Sequence, residues 1–188
     1  IAGAFAFTGN ALTLSGANNT VGTTMTVTNA GTFTTGDAAN LTVGNEFVQN
    51  GAGNSVIGDD LTSTNDGFSF ATNVTLTSAD AITILTGQGE DDDVVITGTT
   101  TGTDDNLTIT AGGIIPNVGG DVTLGGAMDL GTGSLTITTA HTVNAATVNA
   151  ATIDIGTTPV PIANVNTGTY TSTGATNIVA IDVNSISV

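Results

Sequence analysis

Thr142-Val-Asn-Ala-Ala-Thr-Val-Asn-Ala-Ala-Thr-Ile153 repeats one short phrase: a Thr, an apolar residue, an Asn and two Ala. Echoes of this kind favour stacking of like on like in successive strands, Asn on Asn and Thr on Thr. The theme spreads outward from there. Leu-Thr-Ile-Thr occurs at 107–110 and again at 135–138. Apolar residues recur at every second position in short bursts closed by Gly, Asn or Asp, the pattern of half-buried strands. The bursts are Ala11–Leu14, Met25–Thr28, Asn40–Val43, Asn73–Thr77, Ala81–Leu85, Val94–Ile96, Asn106–Thr110, Asp121–Leu124, Ser134–Thr138, Thr152–Ile155 and Ile178–Val183. About a dozen strands are therefore predicted, at intervals of roughly 10 to 17 residues, with almost no helix. Each offers Leu, Val or Ile to one side and Thr, Asn or Asp to the other. Two all-β architectures satisfy this: a parallel β-helix (β-solenoid), or a β-sandwich with strand exchange between subunits. The internal echoes favour the solenoid.

Composition narrows the function. The chain has no Lys or Arg, sixteen Asp and Glu, and a net charge of −16. It cannot clamp phosphates with a guanidinium or neutralise a nucleic-acid backbone, so nucleic acid is not an expected partner. Trypsin-like proteases find no cleavage site. With 39% hydrophobic residues and positive mean hydropathy, the chain is expected to fold rather than stay disordered. Aromatics are 4%, and Trp and Cys are absent, so stability is expected from many thin contacts between stacked strands. No apolar stretch is long enough for a membrane-spanning helix, and Ile1–Phe7 lacks the basic start of a signal peptide. The start at Ile1 suggests a processed protein or a segment of a longer one. A Thr, Asn, Gly and Asp composition without Lys suits an extracellular or cell-surface location.

The run Leu41-Thr-Val43 through Phe47-Val-Gln-Asn-Gly-Ala-Gly53 and then Thr64–Thr77 resembles the repeats of giant bacterial surface proteins. Asp105–Gly113, Gly120–Ala127 and Gly133–Ala140 follow in the order in which β-strand-repeat, filamentous-haemagglutinin-like proteins carry such motifs. The resemblance runs from about residue 20 onward and implies a parallel β-helix displayed outside the cell. It supplies no active site.

A solenoid of 188 residues at roughly 20 to 27 residues per coil has about seven to nine coils and two open sheet edges. Residues 1–188 are read as one solenoid unit, with 1–10 and 177–188 as end-joining strands, because apolar alternation runs into both ends. No catalytic, cofactor or metal residues are assigned. The acidic run Gly89-Glu-Asp-Asp-Asp93, with Asp59-Asp60 and Asp104-Asp105, offers hard oxygens to Ca²⁺ but fits no standard calcium loop, and a solvated turn explains it equally. Carboxylate pairs without Trp make a poor sugar-cleaving cleft, so no enzyme is expected. His141 has no zinc partners and reads as a surface residue. Thr24–Thr28, Thr32–Thr34, Thr62–Thr64, Thr97–Thr99 and Thr167–Thr173 carry the Thr-x-Thr pattern of ice-binding solenoids, at irregular intervals. Four Asn-x-Thr sequons, at Asn18, Asn40, Asn73 and Asn106, are no more than chance predicts for this composition. The expected function is a structural subunit or repeat of an extracellular filament, fibre, sheath, matrix or coat, whose partner is itself, end to end, with divalent cations or surface polysaccharide as further partners. The alternative is a cell-surface binding module, an adhesin for sugar or mineral or an ice-binding Thr array.

Overall fold

Alternating Thr with Leu, Val or Ile gives a strand one apolar edge, and three such edges turned inward enclose a core without any helix. The computed structural model describes residues 1–89, 91–113, 119–156 and 162–187, with side chains at all of these except 167 and 181–187. The described residues form 22 strands in a right-through parallel stack. The first coil is β1 (Phe5–Gly9), β2 (Leu12–Leu14) and β3 (Asn18–Val21), and the second is β4 (Met25–Asn29), β5 (Phe33–Thr35) and β6 (Asn40–Val43). The third is β7 (Phe47–Gln49), β8 (Ser55–Ile57) and β9 (Leu61–Ser63), and the fourth is β10 (Phe68–Phe70), β11 (Val74–Leu76) and β12 (Ile82–Leu85). β13 (Val94–Ile96), β14 (Thr100–Thr101) and β15 (Leu107–Thr110) make the fifth.

From the sixth coil a single bent strand serves two faces. β16 (Val122–Asp129) is followed by β17 (Ser134–Thr139), β18 (Thr142–Ala150) by β19 (Thr152–Ile155), and β20 (Ile162–Ser172) by β21 (Thr176–Ile178), with β22 (Ala180–Ser187) laid on β20. β16 pairs with both β13 and β14, which joins the first two faces into one 14-stranded sheet beside the eight-stranded third face. Its bend falls at Gly125-Gly126, where a Cβ on Gly126 would come within 2.4 Å of the Gly98 carbonyl oxygen. Eight strands on the third face mark eight coils and seven turns, roughly 34 Å of rod. The sandwich alternative is thereby set aside.

Register fixes what lies inside. Phe5, Met25, Phe47, Phe68, Val94, Val122, Val143 and Val165 form one column along the first face, and the backbone of Val183 lies next in register. Leu12, Phe33, Ser55, Val74, Thr100, Met128, Val148 and Tyr170 form another on the second. On the third, Leu41, Leu61, Ile84, Ile109, Ile137, Ile155 and Ile178 follow Asn19. Coil length varies from 18 residues (Val165 to Val183) to 28 (Val94 to Val122), and the corners absorb the difference.

Two expectations need correction. The core is not uniformly thin: all six Phe lie before residue 71, and Phe47 packs against Phe33, Phe68 and Phe70 with ring centroids 5.3, 5.7 and 5.2 Å away. Val, Ile, Leu and Ala, with Met128, take over beyond Phe70, and the one buried ring there is Tyr170, whose hydroxyl lacks a partner and has its pKa pushed up to about 12 by burial. The run Ile178–Val183 is not one strand, because the chain turns a corner at Val179 between β21 and β22.

Candidate functional site

The first coil is the least covered part of the described core. Phe5, Phe7, Leu12 and Leu14 pack on the buried column beneath them but remain half-buried themselves. Beside them a cavity of about 250 Å³ is lined by Ile1, Phe5, Leu14, Val21, Met25 and Leu41 among others. Ile1 is 64% exposed, and its ammonium donates to the Thr20 carbonyl at 2.8 Å while Gly22 N–H donates to the Ile1 carbonyl at 2.8 Å. Those two bonds lay Ile1 parallel to the chain beside Val21, at the end of β3. Asn19 occupies the inward position on β3, where later coils carry Leu or Ile, and its amide donates to Gly16 O at 2.6 Å and Asn40 O at 3.2 Å.

At the corner leading from the third face into the first, carboxylates stack coil upon coil. Glu46, Asp66, Asp93 and Asp121 stand there, and His141 follows with its Nδ1 3.3 Å from Asp121 Oδ1. The three aspartates bond the backbone of their own turn or the next: Asp66 Oδ1 accepts from Gly67 N–H at 2.9 Å, Asp93 Oδ1 from Asp121 N–H at 2.7 Å, and Asp121 Oδ1 from Thr142 N–H at 3.0 Å. Burial, then the charge of Asp66, raises the pKa of Glu46 above 4.5. Burial raises Asp93 above 3.8, the amide of Asp121 opposes it, and the charges of Asp121, Asp91 and Asp66 add to it.

A raised carboxyl pKa means the folded chain holds its proton more tightly than the unfolded chain. The stabilisation is complete below the unfolded values and is lost as pH rises through the raised ones. Melting followed by circular dichroism is therefore expected to give a higher Tm at pH 5 than at pH 7, and a higher Tm in added salt. A steady fall in Tm from pH 7 to pH 5 would contradict the acidic-corner account.

Of the other acidic turns, Asp91 and Asp104 are exposed as a solvated turn requires, while their neighbours fold inward. Asp92 is only 2% exposed and accepts a very short hydrogen bond from Gly89 N–H through Oδ2, so it braces the turn from inside. Asp105 is 5% exposed, with Oδ2 accepting from Thr103 N–H at 3.2 Å and Oδ1 unpartnered. Asp60 Oδ1 accepts from Thr83 N–H at 2.6 Å. Glu90 lies outside the described residues. Among the described residues no three carboxylate or imidazole groups converge to hold a metal ion.

Two features go beyond what the sequence suggested. Gln49, 0% exposed, is the hub of the corner between the first two faces: its Nε2 donates to Asn29 Oδ1 (2.7 Å), Gly53 O (2.8 Å) and Gly51 O (3.1 Å), and its Oε1 accepts from Ala71 N–H (3.2 Å) and the Thr72 hydroxyl (3.3 Å). The second is a pair of threonine files. The Thr-x-Thr motifs at Thr24–Thr28, Thr32–Thr34 and Thr62–Thr64 fall on different faces and do not stack. Thr20, Thr42 and Thr62 do stack in one outward file of the third face, and Thr83, Thr108 and Thr136 stack in the adjacent file. Leu85 interrupts the first file, and Asp154 and Asn177 end the second.

No known protein family, curated protein or solved structure matches this chain.

Proposed function

We propose that the chain is a structural unit of an extracellular β-solenoid fibre or coat, extended along its axis by further coils. The observation carrying this reading is the first coil: half-buried Phe5, Phe7, Leu12 and Leu14 beside a cavity of about 250 Å³ form an apolar edge over which no helix or loop lies among the described residues. Uncovered sheet edges recruit further strands, which is why solenoids that stop carry polar caps. The absence of Lys and Arg, together with the abundance of Thr, Asn and Gly, supports placement outside the cell.

The threonine files favour one second reading, a cell-surface binding module. Hydroxyls on adjacent coils repeat at about 4.8 Å, a spacing suited to an ordered lattice or a polysaccharide chain. Electron microscopy at micromolar concentration, with Ca²⁺ and then with chelator, separates the two. Filaments with an axial repeat near 4.8 Å are expected. Discrete short rods in both conditions would transfer the assignment to the binding module.

A further inference from the structure

We infer that Asn50 is a self-modification site: the backbone nitrogen of Gly51 attacks its side-chain amide, assisted by the Thr28 hydroxyl, and leaves aspartate or isoaspartate at the corner braced by Gln49. This chemistry does not depend on the fibre reading.

Sequence puts the nucleophile in place. Asn50-Gly51 is the only Asn-Gly pair in the chain, and the neighbouring corner residues Asn29, Asn54 and Asn73 precede Ala30, Ser55 and Val74. Glycine has no Cβ to shield its nitrogen from the preceding side chain. Attack closes a succinimide ring, a step within one molecule whose reacting atoms are kept close by the chain itself.

The fold leaves both partners available. Asn50 is exposed just past β7, and its N–H donates to Val27 O at 3.0 Å. The next backbone donor to find a partner is Gly53 N–H, to Asn29 O at 2.9 Å. Gly51 N–H donates to none of the described residues, so no hydrogen bond is lost when that nitrogen gives up its proton. Asp66-Gly67, the one Asp-Gly pair, is the contrast: Asp66 Oδ1 accepts from Gly67 N–H at 2.9 Å, and a carboxylate resists nucleophilic attack.

Thr28 supplies the activation. Its hydroxyl donates to Asn50 Oδ1 at 2.6 Å across adjacent coils. Hydroxide takes the proton of the Gly51 nitrogen, the nitrogen bonds to Asn50 Cγ, and the C=O electron pair moves onto Oδ1, where the Thr28 donor stabilises the charge. The pair then returns, the Cγ–Nδ2 bond breaks, and Nδ2 leaves as ammonia with a proton from water. Water opens the ring at either carbonyl. Opening at Cγ gives aspartate, and opening at the backbone carbonyl gives isoaspartate, whose main chain runs through Cβ and Cγ and is one atom longer.

Both products change this corner. Residues 30–32, 50–54, 71–73 and 97–99, which join the first face to the second, include no Asp or Glu, so the new carboxylate brings the first charge there. The longer chain of isoaspartate has no spare room, because a Cβ on Gly51 would lie 2.1 Å from Asn29 O. Gly51 O and Gly53 O both accept from Gln49 Nε2, and a displaced chain draws them away from it.

The test is to hold the folded chain at mildly alkaline pH, digest it with pepsin in acid, where the reaction stops, and follow each asparagine by mass spectrometry. The Asn50 peptide is expected to exchange NH₂ for OH ahead of every other asparagine, and protein-isoaspartate methyltransferase is expected to label it. Thr28→Val is expected to slow the folded chain roughly two- to tenfold, the worth of one exposed hydrogen bond. In urea parent and variant should react at the same rate, since only the fold brings Thr28 to Asn50. Circular dichroism identical to the parent confirms that the variant folds. Loss at Asn50 only in urea, earlier loss at another asparagine, or equal folded rates for parent and Thr28→Val would overturn the inference.

Discussion

Gln49→Glu is expected to unfold the coils around residues 25–76 at pH 7, at a cost of about 3–5 kcal/mol for an uncompensated buried charge. The change is nearly isosteric, so packing is not what fails. An oxygen replaces a nitrogen that donates to Asn29 Oδ1, Gly53 O and Gly51 O, all within 3.1 Å. Asn29 can offer its own amide to the new oxygen only by releasing Gly31 O, to which it donates at 2.8 Å. Nor is there room for a water between the coils as they stand, because the backbones are in close contact there: a Cβ on Gly53 would lie 1.4 Å from Gly31 O. Burial among carbonyl oxygens raises the pKa of the substituted carboxyl. Stability is then lost as pH rises through that raised value and recovered below it, where the protonated group donates once more. Thermal melts of parent and variant at pH 4 and pH 7 check this: the Tm gap should be wide at pH 7 and narrow at pH 4. A gap independent of pH would mean that shape, not hydrogen bonding, is what Gln49 provides.

Phe47→Ala is expected to cost about 3–5 kcal/mol, the range for truncating a fully buried Phe. In a chain of this size that lowers Tm by on the order of 10 °C. Phe47 is 0% exposed and touches three other rings, so its removal empties the centre of the only aromatic cluster among the described residues. Solenoid stability is nearly a sum of coil and neighbour terms, so the loss should stay local. Hydrogen exchange is the suitable readout: amides of β4 to β11 should lose protection, and those of β17 to β19 should keep theirs. Uniform loss along the chain would mean that the eight coils melt as one unit.

What could be read from sequence was the alternation. Leu107–Thr110, Ser134–Thr138 and Thr152–Ile155 each carry two apolar residues flanking a Thr or Asp, and each is a strand of the third face. Strands of three residues were harder to see, since they contain a single alternation and several spend an inward position on a polar side chain. Gln49, Ser55, Ser63 and Thr35 all point inward and break the apolar pattern, although Gln49, Ser63 and Thr35 are satisfied by neighbouring backbone groups. Asp92 and Asp105 read as solvent-facing for the same reason, because composition does not reveal a turn that folds its carboxylate inward. Stacking of Thr on Thr was legible in the repeated Leu-Thr-Ile-Thr, which sets Thr108 beside Thr136, but the full file was not, because it runs between coils of unequal length: Thr83, Thr108 and Thr136 share it at intervals of 25 and 28 residues. Of the first coil, the alternation at Ala4–Phe7 was visible, whereas the cavity beside Phe5 depends on where Ile1 lies.

Unequal coils also give the rod a mechanical character. A stacked coil occupies about 4.8 Å of axis, yet 28 residues pulled out at about 3.4 Å each span about 95 Å. Coils beyond Phe70 lack the phenylalanine rings and the Gln49 hub that brace the earlier ones, so under tension they are the ones expected to yield first, one after another. Coils of 18 to 28 residues would lengthen the rod about thirteen- to twentyfold over their own sections while the aromatic coils stayed closed. A chain built this way stretches in discrete steps before it breaks.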